Sequence, residues 1–93
     1  MIIKFKGWSC VLDKQIYQNG RTALRLIDAE DGSPIATATI NMPEVQLENN
    51  EVLIKDWSEN TGIMDTLISN KIISKPLDAI PTGFVIATKH KLL

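Results

Sequence analysis

Apolar and polar positions alternate at the start of the chain. Ile3, Phe5 and Gly7 are set against Lys4, Lys6 and Trp8, a period-two pattern that predicts a first strand with one wet face, extending through Cys10-Val11-Leu12. Asp13-Lys14 then offers a turn, and Gln15-Ile16-Tyr17 a short strand closed by Asn19-Gly20, the dipeptide that most readily takes the positive φ angles of a tight hairpin. The clearest hairpin follows. Thr22–Asp28 and Ile35–Asn41 are rich in β-formers, and Glu30-Asp31-Gly32-Ser33-Pro34 between them is turn chemistry. On the second run Ala36, Ala38 and Ile40 share a small apolar face suited to receive a helix. Ile35, Thr37 and Thr39 form the other face, which suits a half-exposed sheet and would also suit a ligand-facing one.

Met42-Pro43 ends that run, because proline supplies no donor and restricts the residue before it. The acidic, amide-rich stretch Glu44–Asn50 reads as a surface loop, and Glu51–Lys55 as a strand with Leu53 on one side and Val52 and Ile54 on the other. Asn60–Asn70 is the one helical pattern: Ile63, Met64, Leu67 and Ile68 fall on a single stripe, with Asp65, Thr66, Ser69 and Asn70 on the wet face. Asn60 or Thr61 is placed to accept an N–H of its first turn, and Glu59 lies near the positive end of its dipole. Ile72-Ile73 leaves the helix, Pro76 and Pro81 mark a connection, and Gly83–Thr88 forms a last strand with a basic end. The order predicts a single α+β domain over residues 1–93, a curved antiparallel sheet of about five or six strands with one helix packed on one face.

Composition narrows the function classes. The chain has 93 residues, 44% of them hydrophobic and 23% charged, enough for one core that folds alone or as a small oligomer. A formal net charge of −1 gives no overall field toward nucleic acid or an anionic membrane. A local basic patch of Lys4, Lys6, Lys89, His90 and Lys91 requires the two terminal strands to lie side by side; otherwise these lysines blunt an edge strand. One cysteine, Cys10, excludes an intramolecular disulfide and a cysteine-cluster zinc site. No apolar run approaches the roughly 18–20 residues of a membrane span, and the opening run breaks after Ile3, so the expected compartment is the cytoplasm.

The residues with chemistry gather at the strand-to-helix junction, Lys55-Asp56-Trp57-Ser58-Glu59-Asn60-Thr61. A Cys10–His90 nucleophile pair needs neighbouring terminal strands, and Asp56 with Glu59 matches no metal loop, so neither a catalytic centre, a metal site nor a cofactor is expected. Asp56 reads first as a turn residue and Glu59 as a helix-dipole partner. Trp57 either folds under the helix as a hydrophobic staple or stands exposed beside Lys55, Asp56 and Glu59 as an interface anchor. Beyond two phenylalanines, Trp8 and Tyr17 are the other aromatic side chains.

Asn19-Gly20-Arg21-Thr22-Ala23-Leu24-Arg25-Leu26, Asp31–Ala36, Thr39–Pro43 and the run Ile54-Lys55-Asp56-Trp57-Ser58-Glu59-Asn60-Thr61-Gly62 resemble a family of short proteins of phages, plasmids and conjugative elements. The resemblance spans about residues 15–75, and its most specific part is the Ile-Lys-Asp-aromatic-x-Glu-Asn-x-Gly run. It transfers no catalytic residue. It implies a small protein that binds and disables a host defence component, or sequesters something from it. Two readings follow. One is a non-enzymatic inhibitor or adaptor that binds a host protein through the Trp57 junction or a free sheet edge. The other is an oligomeric sponge for a nucleotide signal, with Lys55, Arg21 or Arg25 against phosphate and Trp57 or Tyr17 against a base. Small domains with free strand edges commonly form homodimers, here through the Thr37/Thr39 face or the terminal strand.

Overall fold

The first hairpin turns earlier than the alternation implies. In the computed structural model, which describes all 93 residues, β1 (Ile3–Phe5) reverses at Lys6-Gly7 into β2 (Trp8–Ile16). Both turn residues have positive φ, 49° and 82°, as a two-residue hairpin with Phe5 opposite Trp8 requires. Gly7 meets this freely. Lys6 occupies a region that L-residues visit at a cost of about 1–2 kcal/mol, and its ammonium is anchored on the Glu59 carbonyl oxygen at 2.7 Å.

β2 runs straight through Asp13-Lys14, so the expected turn there does not form. The run from Cys10 to Ile16 pairs residue by residue with β3 (Thr22–Asp28). The Asp13 carboxylate receives the Arg25 guanidinium across this ladder, and that bond supplies the solvent-side partner that a turn would have given. The Asn19-Gly20 turn forms where expected, with Gly20 at φ 89° and the Gly20 N–H on the Tyr17 carbonyl at 2.9 Å.

β4 covers only Pro34–Thr37. Its register against β3 shifts, with Leu26 opposite Ala36 but Ile27 opposite Pro34, so Ile35 is the extra residue of a β-bulge. The bulge brings residues expected on opposite faces to the same side: Ile35 and Ala36 both pack against the core, and Ala38 is fully inside it.

The expected single sheet is two. A four-stranded antiparallel sheet runs β1-β2-β3-β4, and a three-stranded one runs β5-β7-β6, from β5 (Glu51–Ile54), β6 (Asp78–Thr82) and β7 (Val85–Lys91). An isolated antiparallel bridge, Thr39 to Ile54, joins them. The chain leaving β4 changes partner there. The Ala38 N–H still donates to Leu24, but the Ala38 carbonyl accepts from Lys55, and Ile40 donates to the Leu53 carbonyl. β6, expected to be a connection, is an edge strand, a place that tolerates Pro81.

The helix is shorter than expected. A 3-10 turn over Ser58–Asn60 is followed, after Gly62 at φ 95°, by α1 (Ile63–Ser69). Its stripe is as expected: Ile63 and Leu67 are buried, and Met64 and Ile68 pack against them. Together with Ile3, Phe5, Cys10, Leu24, Leu26, Val52, Ile54, Ile72 and Ile73 they form the core between the helix and the two sheets. No helix is long and apolar enough to cross a membrane.

The terminal strands are not paired with each other. β1 pairs only with β2, whereas β7 lies between β5 and β6. Strand pairing therefore does not bring Lys4 and Lys6 beside Lys89 and Lys91, and His90 is wholly buried instead of lying in a frayed basic end. Of the two expected self-association surfaces, the terminal strand β7 has no free edge, and the Thr37/Thr39 face has Thr39 buried and Thr37 half-buried.

Candidate functional site

The junction after β5 is built by two of its own polar side chains. Asp56 turns toward the start of α1, where its two carboxylate oxygens accept the Gly62 and Met64 N–H groups at 2.9 and 2.8 Å. These are donors that the helix leaves without an internal partner, so Asp56 performs the capping expected of Asn60 or Thr61. Asn60 does the opposite work. It is 2% exposed, and its amide donates to the Thr37 carbonyl at 2.7 Å and the Lys55 carbonyl at 3.0 Å, tying the 3-10 turn to the end of β4 and to the strand it came from. The Thr61 hydroxyl donates to the Ser58 carbonyl, closing the same turn.

Between these anchors stand Lys55, Trp57 and Glu59. Trp57 is extended at φ −144° and half-buried, and its carbonyl accepts the Asn60 N–H. Its indole N–H, the Lys55 ammonium and the Glu59 carboxylate make no hydrogen bond or ion pair within the chain. The Lys6 anchor on the Glu59 carbonyl holds the turn from the side of β1. Ser58 takes a positive φ of 54° to make this compact bend.

Arg21 and Tyr17 lie apart from the junction. The Arg21 guanidinium donates to the Met42 carbonyl at 2.6 Å and also to the Val45 carbonyl, holding the loop after β4 against the β2–β3 turn. Two polar clefts of about 230 and 360 Å³ flank it, the second lined by Asn19, Glu48, Asn49 and Glu51. The Tyr17 hydroxyl is bonded to the Thr39 hydroxyl at 2.9 Å. Arg25 is committed to Asp13, whose carboxyl it holds below the usual carboxylate range, with Gln15 adding a second bond.

The groups considered for catalysis are separated. Cys10 is buried in the four-stranded sheet, where burial, reinforced by the Asp28 carboxylate, pushes its thiol up despite the opposing Lys4. His90 sits in the other sheet with both ring nitrogens engaged: Nδ1 faces the Ser74 carbonyl at 2.8 Å and Nε2 the Thr88 hydroxyl at 2.7 Å. A carbonyl only accepts, so Nδ1 carries the proton and the neutral ring takes the Thr88 hydrogen on Nε2. Burial lowers the His90 pKa, and the Ser74 bond partly offsets it.

Sequence reasoning missed Lys6 and Thr39, since each acts on a residue remote in the chain. The usable signal was small: a lysine before a hairpin glycine, and a threonine where a strand of alternating residues ends. No protein-family model, curated protein or solved structure matches this chain.

Proposed function

We propose that this chain is a non-enzymatic binding protein of a phage or other mobile element, an inhibitor or adaptor that covers part of a host protein. The observation that carries the reading is the held turn at Lys55–Asn60. Asp56, Asn60 and Lys6 fix its backbone, while Lys55, Trp57 and Glu59 keep their side-chain polar groups unspent. Tryptophan contributes disproportionately to interface hot spots, and a side chain displayed on a fixed backbone has less freedom to lose on association. Lys55 and Glu59 supply a rim of both signs, which favours orientation over raw attraction.

The nucleotide-sponge reading draws less support, because Arg21 and Arg25 already spend their guanidinium groups on loop carbonyls and on Asp13. Self-association would use the outer edge of β1 or of β6.

Capture from host lysate with the tagged chain, followed by titration of the captured protein, tests the proposal. Trp57→Ala is expected to weaken binding by about 30-fold, the effect of a hot-spot truncation near 2 kcal/mol, and Lys55→Glu by a smaller factor. Unchanged capture by both variants removes the turn from consideration. A thermal shift with cyclic or oligomeric nucleotides and none with a host protein favours the sponge.

A further inference from the structure

A third cleft, of about 260 Å³, opens at the other end of β2 and is lined by Gly7, Trp8, Ser9, Asp28 and Glu30. Its chemistry is specific. Trp8 is 51% exposed, a large apolar surface left in water on the same strand that buries Cys10. Asp28 and Glu30 bring two carboxylates to the same cleft, and neither takes part in the ion pairs of the protein, which join Arg25 to Asp13 and Lys89 to Glu51. The Lys4 ammonium, next to the cleft, donates to the Ser9 hydroxyl and not to either acid.

The walls are held in place before anything binds. The Ala29 N–H donates to the Ser9 carbonyl at 2.9 Å, joining the β3–β4 turn to β2, and Asp28 Oδ1 accepts the Glu30 N–H at 2.7 Å. Asp28 Oδ2 and the Glu30 carboxylate remain unpaired. Both charged side chains that line the cleft are acids. The turn from Asp28 to Ser33 that forms this wall carries Asp28, Glu30 and Asp31 and no lysine, arginine or histidine.

We infer that this cleft is a receptor for one arginine side chain of a protein partner, with the guanidinium stacked on Trp8 and its N–H groups donating to Asp28 and Glu30. An indole attracts a cation through its ring quadrupole, and most strongly among the aromatic side chains. Two acids beside the ring favour a planar fork of donors over a point charge, which selects arginine over lysine. The inference rests on reading the chain as a protein binder, and adds the partner's charge to it. The Lys6–Glu59 bond joins the β1–β2 turn, two residues from Trp8, to the turn two residues past Trp57, so one partner can engage both.

The test uses a small probe and not the partner, so its failure leaves the Trp57 turn untouched. In an NMR titration of the full chain, N-acetyl-arginine N-methylamide is expected to shift the Trp8 indole N–H and the Gly7 and Glu30 amides saturably, with a Kd of order 1 mM for a single subsite. The isosteric citrulline derivative, which is neutral, is expected to give no saturable shift. The lysine derivative is expected to bind several-fold more weakly. Asp28→Asn with Glu30→Gln keeps both shapes and the Asp28 turn bond, and is expected to weaken the probe at least tenfold. Should the double variant fail to fold, Glu30→Gln alone, at an exposed position, is expected to weaken it several-fold. Absence of saturable shifts, equal shifts from citrulline or lysine, or undiminished binding by the double variant or by Glu30→Gln overturns the assignment.

Discussion

The Thr39 hydroxyl stands in for a backbone carbonyl opposite Leu24. Where the β3–β4 ladder ends, the Leu24 carbonyl receives the Ala38 N–H, but the Ala38 carbonyl has turned away to Lys55 of the second sheet. The Leu24 N–H would be an unpaired buried donor. Thr39 Oγ1 accepts it at 3.2 Å and is bonded to the Tyr17 hydroxyl as well. One threonine thus lets the chain leave one sheet for another without an orphaned group.

Thr39→Val is therefore expected to destabilise the domain by about 2–3 kcal/mol, the cost of stranding a buried N–H together with a hydroxyl partner. In a chain of this length that corresponds to a fall in Tm of roughly 10 °C or more. Thr39→Ser, which keeps the oxygen, recovers most of the loss. Thermal unfolding followed by circular dichroism measures both, and equal Tm values for the two variants would show that the oxygen contributes nothing.

Asp56 caps two donors at once, which predicts a graded series. Asp56→Ala removes both bonds and is expected to cost about 1–2 kcal/mol. Asp56→Asn offers one acceptor oxygen in place of two and falls between. Amide hydrogen exchange localises the effect: the Gly62 and Met64 amides speed up in Asp56→Ala, while β2 and β3 amides change only as far as global stability falls. Uniform acceleration across the chain would contradict a local cap.

His90 makes stability depend on pH. Its folded pKa lies below the ordinary value of 6.5, chiefly through burial. Above that value the ring is neutral in both states and the native arrangement keeps its full stability. As pH falls from about 6.5 toward the folded pKa, the unfolded chain gains a proton that the native one refuses, and stability declines. Urea unfolding between pH 7.5 and 5 is expected to show this fall, at a pH where few carboxylates titrate. His90→Gln, which cannot titrate, flattens the dependence within that window. An unchanged slope in the variant would assign the effect elsewhere.

Much of the architecture is legible from local pattern. Thr22–Asp28 is bounded as its β-formers and flanking turns imply, and the stripe Ile63, Met64, Leu67, Ile68 faces the core as its spacing requires. The departures come from long-range bonds. Asp13-Lys14 looks like a turn until Arg25 is opposite it. Pro81 looks like a linker until β6 is seen to be an edge. The helix begins late because its cap comes from Asp56, outside the helical pattern. His90 reads as part of a solvated basic end because nothing nearby in the sequence announces Ser74 and Thr88 as its partners. At the junction the residue types were legible and their division of labour was not: Asp56 and Asn60 hold the turn, and Lys55, Trp57 and Glu59 are what it holds out.

The placement of β7 between β5 and β6 has a consequence for biosynthesis. The middle strand of that sheet is the last to emerge from the ribosome, so β5 waits without its neighbour while more than thirty further residues are translated. Until Val85–Lys91 arrives, the β5 edge that pairs with it keeps its backbone groups unpaired on the nascent chain, and premature termination between β6 and β7 yields a product with two unzipped edges, a substrate for chaperones and proteases.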